Sequence, residues 1–110
     1  MSIIKISKQC KNKGLWNGLN YTAYFHEDFA KDIDFRDINT DLISIEYKMN
    51  NLCVSVSREK GNKVTLSNLN TSYYRLFVKS DQVIKEGSYS IEKSYFKNDI
   101  IYYQLKFIGK

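Results

Sequence analysis

The chain has no proline, five glycines, two cysteines, one histidine and one tryptophan in 110 residues. Without proline its turns must be built by Gly, Asn and Asp, which tolerate backbone conformations that other side chains avoid. Cys10 and Cys53 lack the paired spacing of a zinc site and are too few for a disulfide scaffold, which points to a reducing compartment. No apolar run approaches the roughly 18 residues of a membrane helix. The opening residues place Ile3, Ile4 and Ile6 among lysines, without the apolar stretch of a secretion signal. A cytoplasmic protein with no membrane association is the expectation. Also missing are a Gly-rich phosphate loop, a Cys/His cluster and a dinucleotide fingerprint, so the common nucleotide- and zinc-dependent enzymes have no foothold.

What is present describes a folded chain. The apolar fraction is 43% and the charged fraction 26%, as in globular proteins, and the length suits one domain over residues 1–110. Charge is unevenly spread. Residues 1–26 carry four Lys and no acid, residues 27–46 seven acids against Lys31 and Arg36, and residues 47–110 eleven bases against five acids. If an acidic helix or loop insertion at about 27–41 folds away, the remaining body is strongly basic and attracts polyanions. Fourteen Lys against three Arg, with abundant Ile, Asn and Tyr, is also the composition of AT-rich coding, so the basicity alone decides nothing.

The hydrophobic period is mostly two, which predicts an all-β fold with one short helix. Ile43, Ile45 and Tyr47 share one face of a strand over 42–48, and Leu52, Val54 and Val56 share one face of the next. Met49-Asn50-Asn51 turns between them, and Lys60-Gly61-Asn62 leads on to Val64 and Leu66. Further strands are predicted at 2–8, 20–26, 72–79, 88–95 and 100–108, with a hairpin turn at Asn17-Gly18. Glu27–Ile33 is the helical candidate, and a second short turn falls at Ser80–Lys85. Short strands with one interrupting helix predict a small five-stranded barrel of the oligonucleotide/oligosaccharide-binding type, with a β-sandwich as the alternative.

The pattern richest in chemistry is Tyr73 to Lys79. Alternation puts Tyr74, Leu76 and Val78 on one side and Tyr73, Arg75, Phe77 and Lys79 on the other. Two rings interleaved with two cations offer stacking surfaces for bases and charges for the phosphates between them. The competing reading buries Phe77 in a second small core. The last strand repeats the motif, with Tyr102, Gln104 and Lys106 opposite Ile101, Tyr103, Leu105 and Phe107. Trp16, with Lys13 nearby, marks a hairpin that either stacks a base or plugs the core, and Tyr95 lies between Lys93 and Lys97. Sixteen aromatics, nine of them Tyr, exceed what a core of this size needs.

The Lys- and Gly-bearing hairpin before Tyr21-Thr22-Ala23-Tyr24-Phe25 resembles that of small phage single-stranded DNA-binding proteins of the oligonucleotide/oligosaccharide-binding fold. The stretch from Gly87-Ser88-Tyr89-Ser90-Ile91 to Phe96, and the closing Leu105-Lys106-Phe107, are similar to the end of the filamentous-phage representative. The resemblance covers about half of the chain and lies in pattern rather than in an identifying motif. It implies sequence-tolerant binding of single-stranded DNA, or RNA, in replication or recombination by a homodimer or homotetramer. The cellular members end in an acidic tail that recruits other proteins. This sequence ends Leu105-Lys106-Phe107-Ile108-Gly109-Lys110, so recruitment by a tail is not expected.

The acidic segment supplies the alternatives. Glu27, Asp28, Asp32, Asp34, Asp37 and Asp41 include an Asp-x-Asp pair of the kind that holds Mg²⁺ in nucleases, although acidic runs are more often solvated faces. His26 is a candidate general base with no nucleophile tied to it. The same segment could instead dock on the basic face of a neighbouring subunit, or bind and inhibit or recruit a host protein. The expectation is a non-enzymatic protein without cofactor or metal. Its single-stranded DNA site would be Trp16, Tyr73, Phe77 and Tyr102 for stacking, with Lys13, Arg75, Lys79 and Lys106 for phosphates.

Overall fold

The computed structural model describes residues 2–8, 19–67 and 70–110. Its elements in chain order are β1 (Ile3–Lys8), β2 (Leu19–His26), α1 (Glu27–Asp32), β3 (Leu42–Lys48), β4 (Asn51–Ser57), β5 (Asn62–Ser67), β6 (Asn70–Ser80), β7 (Gly87–Lys97) and β8 (Ile100–Gly109). The strands form one closed antiparallel barrel in the ring order β1-β2-β6-β5-β3-β4-β8-β7. Four hairpins between consecutive strands, β1–β2, β3–β4, β5–β6 and β7–β8, are joined by four long-range seams.

The all-β barrel with one short helix is as the sequence predicts, but eight strands close it rather than five, and among the described residues no second sheet forms a sandwich. Alternation shows which residues face inward and says nothing of how many strands complete the ring. Eight strands give an interior just wide enough for side chains to fill, and Tyr21, Phe25, Ile4, Ile6, Ile43 and Leu76 fill it, each no more than 1% exposed. The turns use the expected chemistry. Met49 and Asn50 between β3 and β4, and Asn98 and Asp99 between β7 and β8, have positive φ, as two-residue type I′ hairpin turns require.

Each end of the barrel is stoppered. At one, α1 lays Phe29 and Ala30 on the core, and the Phe25 ring lies 5.4 Å from Phe29, 5.4 Å from Tyr74 and 6.4 Å from Phe35. At the other, the Ile84 amide donates to the Tyr21 hydroxyl at 2.8 Å, which holds the buried Ile84 side chain under the rim. At Ser80–Lys85, where a second short turn is predicted, the chain bends without forming helix. The Ser80 hydroxyl accepts the Gln82 amide at 3.1 Å and donates to the Gln82 carbonyl, a local bend that competes with helix.

Gly87 opens β7 at a φ of +142°, and a Cβ there would stand 2.6 Å from the Phe107 ring and 2.8 Å from the Gly109 carbonyl oxygen. The β7–β8 pair closes over glycine because no other residue fits. Gly87→Ala is expected to lower unfolding free energy by about 1–3 kcal/mol from steric overlap alone, read as a shift in the urea midpoint.

Candidate nucleic-acid interface

Because β6 is buried on one side only, its alternation becomes geometry. Leu76 and Val78 point into the barrel at 1% and 2% exposure, while Tyr73 and Phe77 stand outside at 42% and 52%. Phe77 therefore lies in no second core. Arg75 shares this face, with its guanidinium carbon 5.3 Å from the centre of the Phe77 ring, and Lys79 is exposed at the far end. The Arg75 Nε is buried without a hydrogen-bond partner among the described residues. The ring face thus steadies the cation.

Strand pairing widens the row into a wall. Tyr24 on β2 lies opposite Arg75, Lys5 on β1 opposite Tyr24, Thr65 on β5 opposite Arg75, and Phe77 opposite Thr22. Tyr24 is 38% exposed, and with Lys5 it belongs to the surface although sequence reasoning passed over both. The signal was there, since Tyr24 alternates with the buried Ala23 and Phe25, but its nearness to Arg75 depends on a long-range register. Near α1 a notch of about 500 Å³ opens beside Lys5, Tyr24, His26 and Tyr73, with the His26 and Tyr73 rings edge to face at 5.0 Å.

Two of the predicted groove residues lie elsewhere. Tyr102 and Lys106 sit on β8, which is four places round the ring from β6 and so on the opposite wall. One continuous groove through all the predicted residues is not formed, because spacing along the sequence carries no information on ring order. Tyr102 stacks on Tyr95 at 5.4 Å and 23°, and Lys48 Nζ lies 5.4 Å from the centre of its ring. Each ring is thus partly occupied from within the protein. The Tyr95 hydroxyl is 3.9 Å from Cys53 Sγ, and burial pushes the Cys53 thiol up, away from the reactive thiolate. Lys13 and Trp16 lie outside the described residues.

The acidic segment is tied into the fold. His26 caps α1, its Nδ1 accepting the Asp28 amide at 3.2 Å. Asp34 pairs with Arg36 at 2.8 Å, and Asp32 accepts the Ser2 hydroxyl. Among the described residues no three His, Cys, Asp or Glu side chains are grouped as a metal ion needs. Asp41 is buried and accepts the Arg36 and Asp37 amides at 2.9 and 3.1 Å, with Arg58 3.8 Å away. Burial alone would raise its pKa, but those amides and the Arg58 charge outweigh burial and hold the carboxyl below its usual range.

A carboxyl depressed in the folded state contributes stability above its unfolded pKa, near 3.9, and that contribution is lost as pH falls through the folded value. Asp41→Ala, which strands two amides, should therefore cost about 1–3 kcal/mol at neutral pH. The gap to the parent should begin to narrow once pH drops below about 4 and close as the folded carboxyl takes up its proton at its depressed value. Urea titrations across the acid range measure both.

Beyond Asp41 a cleft of about 810 Å³ opens between the 34–41 loop, the β4–β5 turn and the tip of the β7–β8 hairpin. Its floor is Ile33, Val56, Ile101 and Tyr103, and its rim is mainly acidic. Burial raises the Tyr103 hydroxyl pKa, and the charges of Asp34 and Asp32 add to the effect.

No family model, curated protein or solved structure matches this chain, so function has to be read from geometry. Among the described residues no helix is long and apolar enough to cross a membrane.

Proposed function

We propose that this protein binds single-stranded nucleic acid on the outer wall of β1, β2, β5 and β6, with no reaction catalysed. The supporting observation is the outward row of β6, with Tyr73, Phe77 and Lys79 exposed and Arg75 half-buried against the Phe77 ring, flanked in register by Tyr24 and Lys5. An unpaired strand presents rings and phosphates in alternation, and this wall alternates in the same way. Tyr24, Tyr73 and Phe77 stack bases with little regard to identity, and Lys5, Arg75 and Lys79 track the backbone. DNA is favoured over RNA only by the resemblance to phage single-stranded DNA-binding proteins.

The test is a filter-binding titration with labelled oligothymidine at two salt concentrations. Each phosphate contact on a single strand contributes a slope of about 0.7 in log affinity against log salt. Three cations then give an affinity loss of about a hundredfold for a tenfold rise in salt. Absence of binding at low salt, or an affinity indifferent to salt, rejects the reading.

A further inference from the structure

We propose that the acidic cleft at the α1 end docks the basic β1–β2–β6 wall of a second copy, and that single-stranded nucleic acid competes for that wall. The competition rests on the proposed function; the self-association does not.

The cleft has an unfinished apolar side. The β7–β8 hairpin runs past the point where β4 stops pairing with β8, at Tyr102, so beside the cross-strand pair Phe96 and Ile101 the β8 edge has no pairing strand among the described residues. Phe96 is 69% exposed and Ile101 42%. Such a surface, contiguous with the floor formed by Ile33, Val56 and Tyr103, is the kind that marks an interaction site.

Charge selects the occupant. Five carboxylates line the cleft (Asp34, Asp37, Asp41, Glu59 and Asp99) against the guanidiniums of Arg36 and Arg58, which leaves the cleft anionic. The outer wall bears Lys5, Arg75 and Lys79, with Phe77 projecting among them at 52% exposure. A cationic surface carrying an exposed ring is what an acidic rim over an apolar floor receives, and this chain itself supplies one. The two patches differ and lie on different parts of the barrel, so the contact is heterologous and copies add head to tail. Whichever polyanion covers the wall removes the surface that the next copy needs. Assembly would then mask the nucleic-acid face in the absence of ligand, and binding would release it.

Sedimentation velocity on the full chain over a range of protein concentrations decides this. In about 50 mM salt the average mass should climb with concentration, and at about 500 mM, where exposed charges are screened, it should fall to the monomer. One equivalent of oligothymidine at low salt should also return it to the monomer. Asp34→Asn with Glu59→Lys should abolish assembly and keep oligothymidine affinity; Asn suits the backbone at Asp34, where φ is 60°. Phe96→Ser, at an exposed site, should weaken assembly several-fold with the cleft's charge intact.

A mass that does not change with concentration at low salt overturns the proposal, as does a charge variant that assembles like the parent. A monomeric parent whose cleft instead binds polylysine, with loss in the charge variant, replaces the second copy by a foreign basic partner and overturns it too. Oligothymidine that binds the monomeric variant yet leaves the parent's assemblies intact overturns the competition. Oligothymidine that binds neither rejects the nucleic-acid reading and leaves assembly supported by the charge variant.

Discussion

Alanine at both Tyr73 and Phe77 is expected to weaken oligothymidine binding by about 2–6 kcal/mol, since each stacked base contributes about 1–3 kcal/mol. That is a loss of about 30-fold or more, seen directly as a shift of the titration midpoint. Both rings are on the solvent side of β6 and contribute little to the core, so thermal stability should stay within about 0.5 kcal/mol of the parent. Loss of binding without loss of fold is the signature of a contact surface. Arg75→Ala should behave differently, because its guanidinium also rests on the Phe77 ring. It should flatten the salt dependence as well as lower affinity. Unchanged affinity in the double ring variant would move the site off this wall.

Phe25→Ala is expected to have the largest effect on stability, about 3–5 kcal/mol in chemical denaturation. Phe25 is 1% exposed, and its ring meets Phe29, Phe35 and Tyr74 at one place, where the helix, the 34–41 loop and β6 converge on the barrel mouth. Removing it leaves a void under α1 that rigid strands cannot close. Domains of this size are held by about 5–15 kcal/mol in all, so the variant should be marginal at best. Phe25→Leu, which refills most of the volume, should recover much of the loss. A similar cost for both would mean that ring geometry, not filled space, matters here.

What the sequence disclosed follows from what alternation encodes. The strand predicted at 42–48 is β3 residue for residue, and the helix predicted at Glu27–Ile33 is α1 to within one residue. The outward face of Tyr73, Arg75, Phe77 and Lys79 was legible for the same reason: a period of two with one greasy side has only one way to sit on a core. Strand order is a property of pairs far apart in the chain, and local pattern does not contain it. Tyr24 was therefore missed although it adjoins Arg75, and Tyr102 and Lys106 were assigned to a wall they do not share. The buried Asp41 illustrates a further limit. Nothing in an acidic run marks which carboxylate will turn inward to bind loop amides.

The seams of the ring are unequal. β2 and β6 pair over eight rungs, whereas β3 and β5 share only two, Leu42 with Lys63 and Ile43 with Asn62. A cylinder unzips where its stitching is shortest. Amide hydrogens along that junction should exchange with solvent well before those of the β2–β6 interior, and a protease that finds the barrel ajar should cut near the turn leading into β5. The β2–β6 seam at the centre of the wall assigned to the ligand is among the longer ones, so that centre would keep its shape while the wall's β5 edge breathes.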